Sequence, residues 1–306
     1  MTLAHPPIPT MKPQSPQSTA VDTPKATTRL PAPRRWTLAY WLSGALVVLA
    51  VIASATGVFF PQLFRDAAVT AGNARGTDLV ILVVAIPALV ISMALAARGS
   101  LRAQIVWLGA LAYILYNAVF FAFAVVFNPL FLVYVAVLSL ALWAFVALLL
   151  ALDVAEMRAH ISQRLPVRAI ALYLIATTLL FAFTWLRDIV PALLSGATPV
   201  SLQGTRMLTN PIQVVDLAAG FPLTILAAVW LWRRRAWGYA LAGMFLVYGV
   251  IEAASIATDQ FFGHLSDPTQ SLAMTPVFAA LMVIALIPLT AFLRHLRRDA
   301  GIADQK

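Results

Sequence analysis

Long apolar stretches alternate with short polar ones along almost the whole chain. They fall at about 37 to 60, 78 to 97, 103 to 126, 129 to 152, 168 to 187, 211 to 232, 236 to 257 and 273 to 294. A helix rises about 1.5 Å per residue, so about 20 apolar residues cross the roughly 30 Å of bilayer hydrocarbon. Each stretch reaches that length, and the pattern predicts eight spanning helices. The stretch at 168 to 187 is diluted by Thr177, Thr178 and Thr184. In the sixth, Pro211 is a natural first-turn residue and leaves Asp216 only about 8 Å inside. Residues 1 to 35, rich in Pro, Ser and Thr, lack the apolar content to offset ordering, and predict a disordered cytoplasmic tail. "APRRW" ahead of a run containing Ala53 to Ala55 has the outline of a signal peptide. Its charged region is too long, however, and its apolar run is long enough to span, so an uncleaved helix is expected.

Composition fixes the class. With 61% hydrophobic and 11% charged residues, much apolar surface has to face lipid. The fold expected is all-α, a polytopic integral membrane protein. The net charge of +9 would suggest nucleic acid in a soluble chain. Here the basic residues sit at the ends of apolar runs, where they meet lipid headgroups and set topology. Seventeen Lys and Arg fall in the tail, the even-numbered connections (98 to 102, 158 to 168, 233 to 235) and the C-terminus. Only Arg65, Arg75, Arg187 and Arg206 fall on the other side. Cytoplasmic segments carry the positive excess, so both termini should be cytoplasmic. Cysteine is absent, which excludes disulfides and thiolate chemistry.

A shift of 135 residues lays Pro87 on Pro222, Arg98 on Arg233, Tyr113 on Tyr248 and Asn117 on Glu252. Looser echoes are Arg65-Asp66 with Arg187-Asp188, and Asn128-Pro129 with Asp267-Pro268. These imply two four-helix repeats, 36–152 and 168–298, joined by a cytoplasmic linker at 153–167 and followed by a C-terminal tail at 299–306. An even number of spans makes the copies parallel, related by a pseudo-two-fold axis along the membrane normal. Pro87 and Pro222 each lack an N–H and clash with the preceding turn, so both are expected helix kinks.

Polar residues within apolar runs need a reason. Tyr113 with Asn117, and Tyr248 with Glu252, are spaced i to i+4 and share a helix face. Asn117, Glu252 and Asp216 fall at nearly one depth, in the outer third of the bilayer. A carboxylate there must be paired, protonated or wet, which makes Glu252 and Asp216 the leading ligand candidates, with Tyr248, Asn117, Tyr113 and Arg187 around them. The plain alternative is a carboxyl bonded to Tyr248 or Arg187 that joins two helices. Arg65, Asp66, Asp78, Arg187 and Asp188 read as outer-end caps or surface pairs. "TDQFFGHLSDPTQ" reads as a solvated loop in which Asp259, His264 and Asp267 lack metal-ligand spacing. Trp36, Tyr40, Trp41, Trp185 and Trp237 read as interfacial aromatics.

No Walker loop, nucleophile elbow, H-E-x-x-H or dinucleotide fingerprint occurs, and the remaining histidines cannot hold a haem between helices. No catalytic residue, metal or cofactor is assigned, and the reading leans away from an enzyme. "ARGSLRAQIVWLGALAYILYNAVFFAF", "FNPLFLVYVAVLSLALWAF" and "DLAAGFPLTILAAVWLWRRRAWGYALAG" resemble multi-pass membrane proteins of bacteria that have no assigned activity. The resemblance implies a bacterial inner-membrane location and carries over no site. Three functions stay open. They are a small-solute or ion-coupled carrier with a site between the repeats, an outer-face membrane enzyme acting on a lipid-linked substrate, and a non-catalytic scaffold or stress factor. The expected partners are the lipid bilayer and a small-molecule or ion substrate, with no nucleic acid, and the oligomeric state is open. The arginine asymmetry makes a direct prediction: reporters fused after Gly99, Arg164 and Arg235 report cytoplasm, and those after Gly204 and Ser266 report the exterior. An external signal at Gly99 or Arg235 overturns the eight-span topology.

Overall fold

A computed structural model describes residues 32–296, with side chains from Trp36 onward. Most of the expected tail and the segment 299–306 lie outside the described residues. Among the described residues eight helices are long and apolar enough to cross a membrane, and the protein is a multi-pass helical membrane protein. In chain order the helices are α1 (Ala32–Phe59), α2 (Ala68–Val80), α3 (Ile86–Ala96), α4 (Leu101–Phe123), α5 (Phe131–Ala151), the short α6 (Val154–Ala159), α7 (Val167–Ser195), α8 (Pro211–Val215), α9 (Phe221–Trp232), α10 (Ala236–Ser266) and α11 (Met274–His295). A π-helical turn, Ile81–Ala85, joins α2 to α3 into one span, and a second, Asp216–Gly220, joins α8 to α9.

Both π turns stand directly before a proline-bearing helix start, Ile86-Pro87 and Phe221-Pro222. Pro87 offers no N–H to the carbonyl four residues back, and its ring crowds the preceding turn. The ladder widens there to i→i−5, with the Ile86 N–H donating to the Ile81 carbonyl and the Phe221 N–H to that of Asp216. The following turns close alike. Gly99 (φ 84°) and Arg234 (φ 53°) are left-handed. Ser100 N donates to Leu95 O at 3.2 Å and Gly99 N to Ala96 O at 2.9 Å, while Arg235 N donates to Trp230 O at 2.9 Å and Arg234 N to Leu231 O at 2.8 Å. This is the paired 6→1 and 5→2 bonding that ends a helix with its last carbonyls satisfied. Every one of these landmarks, including the starts of α4 and α10, recurs at an offset of 135 residues.

Several helices outrun their apolar stretches. α1 begins at Ala32, inside the expected tail. α2 begins ten residues before Asp78, and α10 continues nine residues past 257. The added turns of α2 and α10 cover each other, which apolarity cannot reveal. Gly72 and Gly76, spaced G-x-x-x-G, lie against α10 so closely that a Cβ on Gly72 would strike the backbone at Phe262 and Gly263, and one on Gly76 would strike Asp259. On α4, a Cβ on Gly109 would strike Val247. α10 packs against α2, α4, α9 and α11, while α1 packs against α5 and α2, and α7 against α9. The linker is structured as well. Asp153 caps α6 by accepting from Ala155 N at 3.1 Å and Glu156 N at 2.9 Å, Met157 is fully buried, and Ser162 N donates to His295 O at 2.9 Å.

The glycine contacts predict opposite outcomes at two positions. Gly76→Val forces α2 away from α10 and should lower stability by about 1–3 kcal/mol, the usual cost of overpacking. Gly249→Ala meets nothing within 4 Å and should be neutral or raise stability by up to about 1 kcal/mol, because alanine favours helix. Melting of the purified protein in detergent measures both, and an unchanged Gly76→Val refutes the contact.

Candidate functional site

The site forms where α4 meets α10. Asn117, buried on α4, donates from Nδ2 to Glu252 Oε2 of α10 at 3.2 Å and to the Tyr113 carbonyl one turn back at 3.2 Å. Tyr113, without solvent exposure, donates from its hydroxyl to Ser255 Oγ at 2.9 Å. The i to i+4 spacing on each helix turns both pairs toward the seam.

Asp216 opens the second π turn and is 8% exposed. Its Oδ2 accepts from the Trp185 indole N–H at 2.8 Å. The Tyr116 hydroxyl reaches both Asp216 and the Tyr248 hydroxyl, with the two tyrosine rings edge to face at 5.4 Å. Asp216 and Glu252 are close enough to act on each other electrostatically. The structure thus brings together Tyr113, Asn117, Asp216, Tyr248 and Glu252. Arg187 is not among them: it is exposed on α7, and Trp185 holds the place expected of it. Two residues along a helix turn the side chain through about 200°, so Trp185 and Arg187 face opposite ways.

Two acids stand elsewhere than the sequence suggested. Asp78 is no outer cap: it lies in the interior of the second span, 1% exposed, with the Ser54 hydroxyl reaching its carboxyl. Asp259 is not in a loop, because α10 runs on to Ser266. Thr77 Oγ1 donates to Asp259 Oδ1 at 3.0 Å. Asp78 and Asp259 act on each other, as do Asp259 and Glu252, so the four membrane acids form one band across the bundle with Tyr113 buried among three of them. Among the described residues no three His, Cys, Asp or Glu are grouped as metal ligands.

Trp185, Tyr116, Thr77 and Ser255 were missed as site residues. Tyr116 stands inside the "YILYN" run, one residue before Asn117, and the G-x-x-x-G of Gly72 and Gly76 marks the helix face that meets Asp259. Trp185 leaves no such mark, since an indole near a helix end also suits the interface.

Acids near the ends of the spans or between them serve the loops. Asp66 Oδ1 accepts from Val126 N at 2.9 Å, its other oxygen is buried without a partner, and burial pushes its carboxyl above the ordinary range. The Thr269 hydroxyl at 2.7 Å and N–H at 3.0 Å hold the Asp267 carboxyl below that range. On α7, Asp188 accepts from Val200 N at 2.8 Å and Ser201 N at 3.3 Å. Arg65-Asp66 and Arg187-Asp188 therefore share one use, pinning a loop backbone through the acid.

No protein-family model, curated protein or solved structure matches the chain. The site rests on its own geometry. If Asn117 and Glu252 share the bond described, Asn117→Ala and Glu252→Ala are not independent. A double-mutant cycle on melting should give a coupling of about 1 kcal/mol, and strict additivity would remove the bond from the account.

Proposed function

We propose that the protein is a carrier of a small solute or ion, built of two parallel four-helix halves, with its site at the α4–α10 seam. The observation behind it is that Asn117 and Glu252, 135 residues apart like the two π turns, touch each other. Residues exchanged by a two-fold axis meet only at that axis, so this contact supports an axis running between α4 and α10. Gly109 and Met244, again 135 apart, also approach there. Glu252 and Asp216 serve as proton or cation ligands, with Tyr248, Asn117 and Tyr113 as neutral donors, and Pro87 and Pro222 interrupt equivalent helices beside them. The arginine asymmetry supports cytoplasmic termini, and the resemblance supports a bacterial inner membrane.

A second reading has one observation in its favour. In the first half, α1 and α5 pack along each other, whereas α7 and α11 meet at the stacked pair Phe181–Phe278 (6.3 Å) and are otherwise largely exposed. A gap there would let a lipid-linked substrate reach Asp216 from the bilayer, as an outer-face enzyme requires. The scaffold reading needs only that the same bonds hold helices together.

Glu252 separates these readings. In proteoliposomes under an imposed diffusion potential, Glu252→Gln should abolish proton uptake while abundance and melting temperature stay at wild type. If the bond is purely structural, Glu252→Gln takes up protons as wild type does and Glu252→Ala lowers melting temperature and abundance. That pattern overturns the carrier reading. Lipid and metabolite profiling of a deletion strain distinguishes a soluble from a lipid-linked substrate.

A further inference from the structure

A second polar site lies between α1, α2, α4 and α5, on the side of α4 that faces away from Glu252. Asp78 and Tyr134 are 1% and 3% exposed, and both Asp78 Oδ2 and the Tyr134 hydroxyl are buried with no hydrogen-bond partner in the chain. Two such oxygens are each costly in a bilayer. Asn128 spends one amide N–H on Val126 O at 3.3 Å and accepts from Leu130 N at 2.9 Å through Oδ1, so its second N–H can donate to the Tyr134 oxygen while the phenol's own proton still lacks an acceptor. Both orphan groups line the same interior cavity of about 20 Å³, with Ser54 and otherwise apolar residues.

Size and chemistry limit what fits. A water needs roughly 10–15 Å³ and two to four polar partners. Asp78, Ser54 and Tyr134 provide three, and the volume admits no second molecule. Calcium takes about six to eight oxygens and magnesium about six, more than one carboxyl and two hydroxyls supply. The charge balance agrees. The titratable groups acting around Asp78 are Asp259 from α10, Tyr113 from α4 and Tyr134 from α5, while α1 contributes Ser54 and Gly57. No lysine or arginine among the described residues acts on Asp78. A lone buried carboxyl with oxygen acids for neighbours is stable as the neutral acid. Gly57 makes the placement possible, because a Cβ there would strike Asp78 Oδ2.

We infer that this cavity is a proton-binding site in which one water joins the protonated Asp78 carboxyl to Ser54 and Tyr134. The proton comes from solvent and returns to it, and the only bond made or broken is the O–H of the acid. The site stands whether or not Glu252 takes part in transport.

Infrared spectra of the purified full-length protein in H2O and D2O test it. A protonated carboxylic-acid carbonyl band should be lost in Asp78→Asn, shift on deuteration, and move in both Tyr134→Phe and Ser54→Ala. Asp78→Asn, which replaces a neutral acid by a neutral amide, should melt close to wild type, and melting should be the same in sodium as in choline chloride. Should Asp78→Asn fail to fold, the band shifts in Tyr134→Phe and Ser54→Ala carry the test. The inference is overturned if Asp78→Asn removes no acid band, since Asp78 is then ionised. It is overturned if neither hydroxyl variant moves the band, since no water is then shared. A melting temperature raised by sodium in wild type but not in Asp78→Asn would make this a cation site instead.

Discussion

Close approach of α2 and α4 to α10 is the constraint on which the polar interior depends. Lipid offers a polar group no hydrogen bond, so each must find its partner in protein or in a water enclosed by it. Gly72, Gly76 and Gly109 remove the side chains that would hold these helices apart. Only then can Thr77 reach Asp259 and Asn117 reach Glu252. A long side chain at any of the three glycines would open the interface and leave those acids facing hydrocarbon.

The same approach explains why the acids share a layer. Asp78, Asp259, Glu252 and Asp216 come from three spans, yet neighbours in the series act on one another, and Tyr113, Tyr116, Tyr248 and Trp185 fill the intervals. Phenol and indole supply apolar bulk with one donor each, which suits a layer of carboxyls shielded from bulk water. The second half is packed less tightly around its share of this layer, since α11 buries only Ala285, Leu289 and Phe292 among its described residues. Exposure of the acids does not follow that looseness: Glu252 and Asp259 are half-buried, while Asp216 beside α7 is buried and Asp78 is almost wholly covered.

How much of this was legible follows from what an apolar window can detect. The eight spans are written in hydropathy, and the structure has eight suitable helices near the expected positions. Their ends were not legible at α2 and α10, because the polar turns there are shielded by another helix rather than by lipid. Asp78 looked like a cap because hydropathy begins there, and Asp259 looked like loop because hydropathy fades before it. Glu252, Asp216 and Asn117 stood out as polar groups in apolar runs, and the structure joins Asn117 to Glu252 directly. Trp185 as the donor to Asp216 was not legible, because which face of α7 turns inward depends on packing. The role of the prolines was legible as interruption, but not its form: a widened turn keeps a helical path where a simple break would have lost it.

Those widened turns bear on what the acids can do. Asp216 is itself the first residue of one π turn, and Ile81, first residue of the other, lines the cavity beside Asp78. A π turn holds one residue more than the α geometry needs, so shifting it by one position rotates the side chains on one side of it by about 100° relative to the other. Rotation at Asp216 would exchange the Trp185 contact for another partner. The carboxylate band lies across the bundle, and nothing in its bonds carries a charge from one face of the membrane to the other. A carrier built on it therefore requires a moving element next to the acids, and the segments before Pro87 and Pro222 are the ones whose backbone bonding is already displaced from the regular ladder.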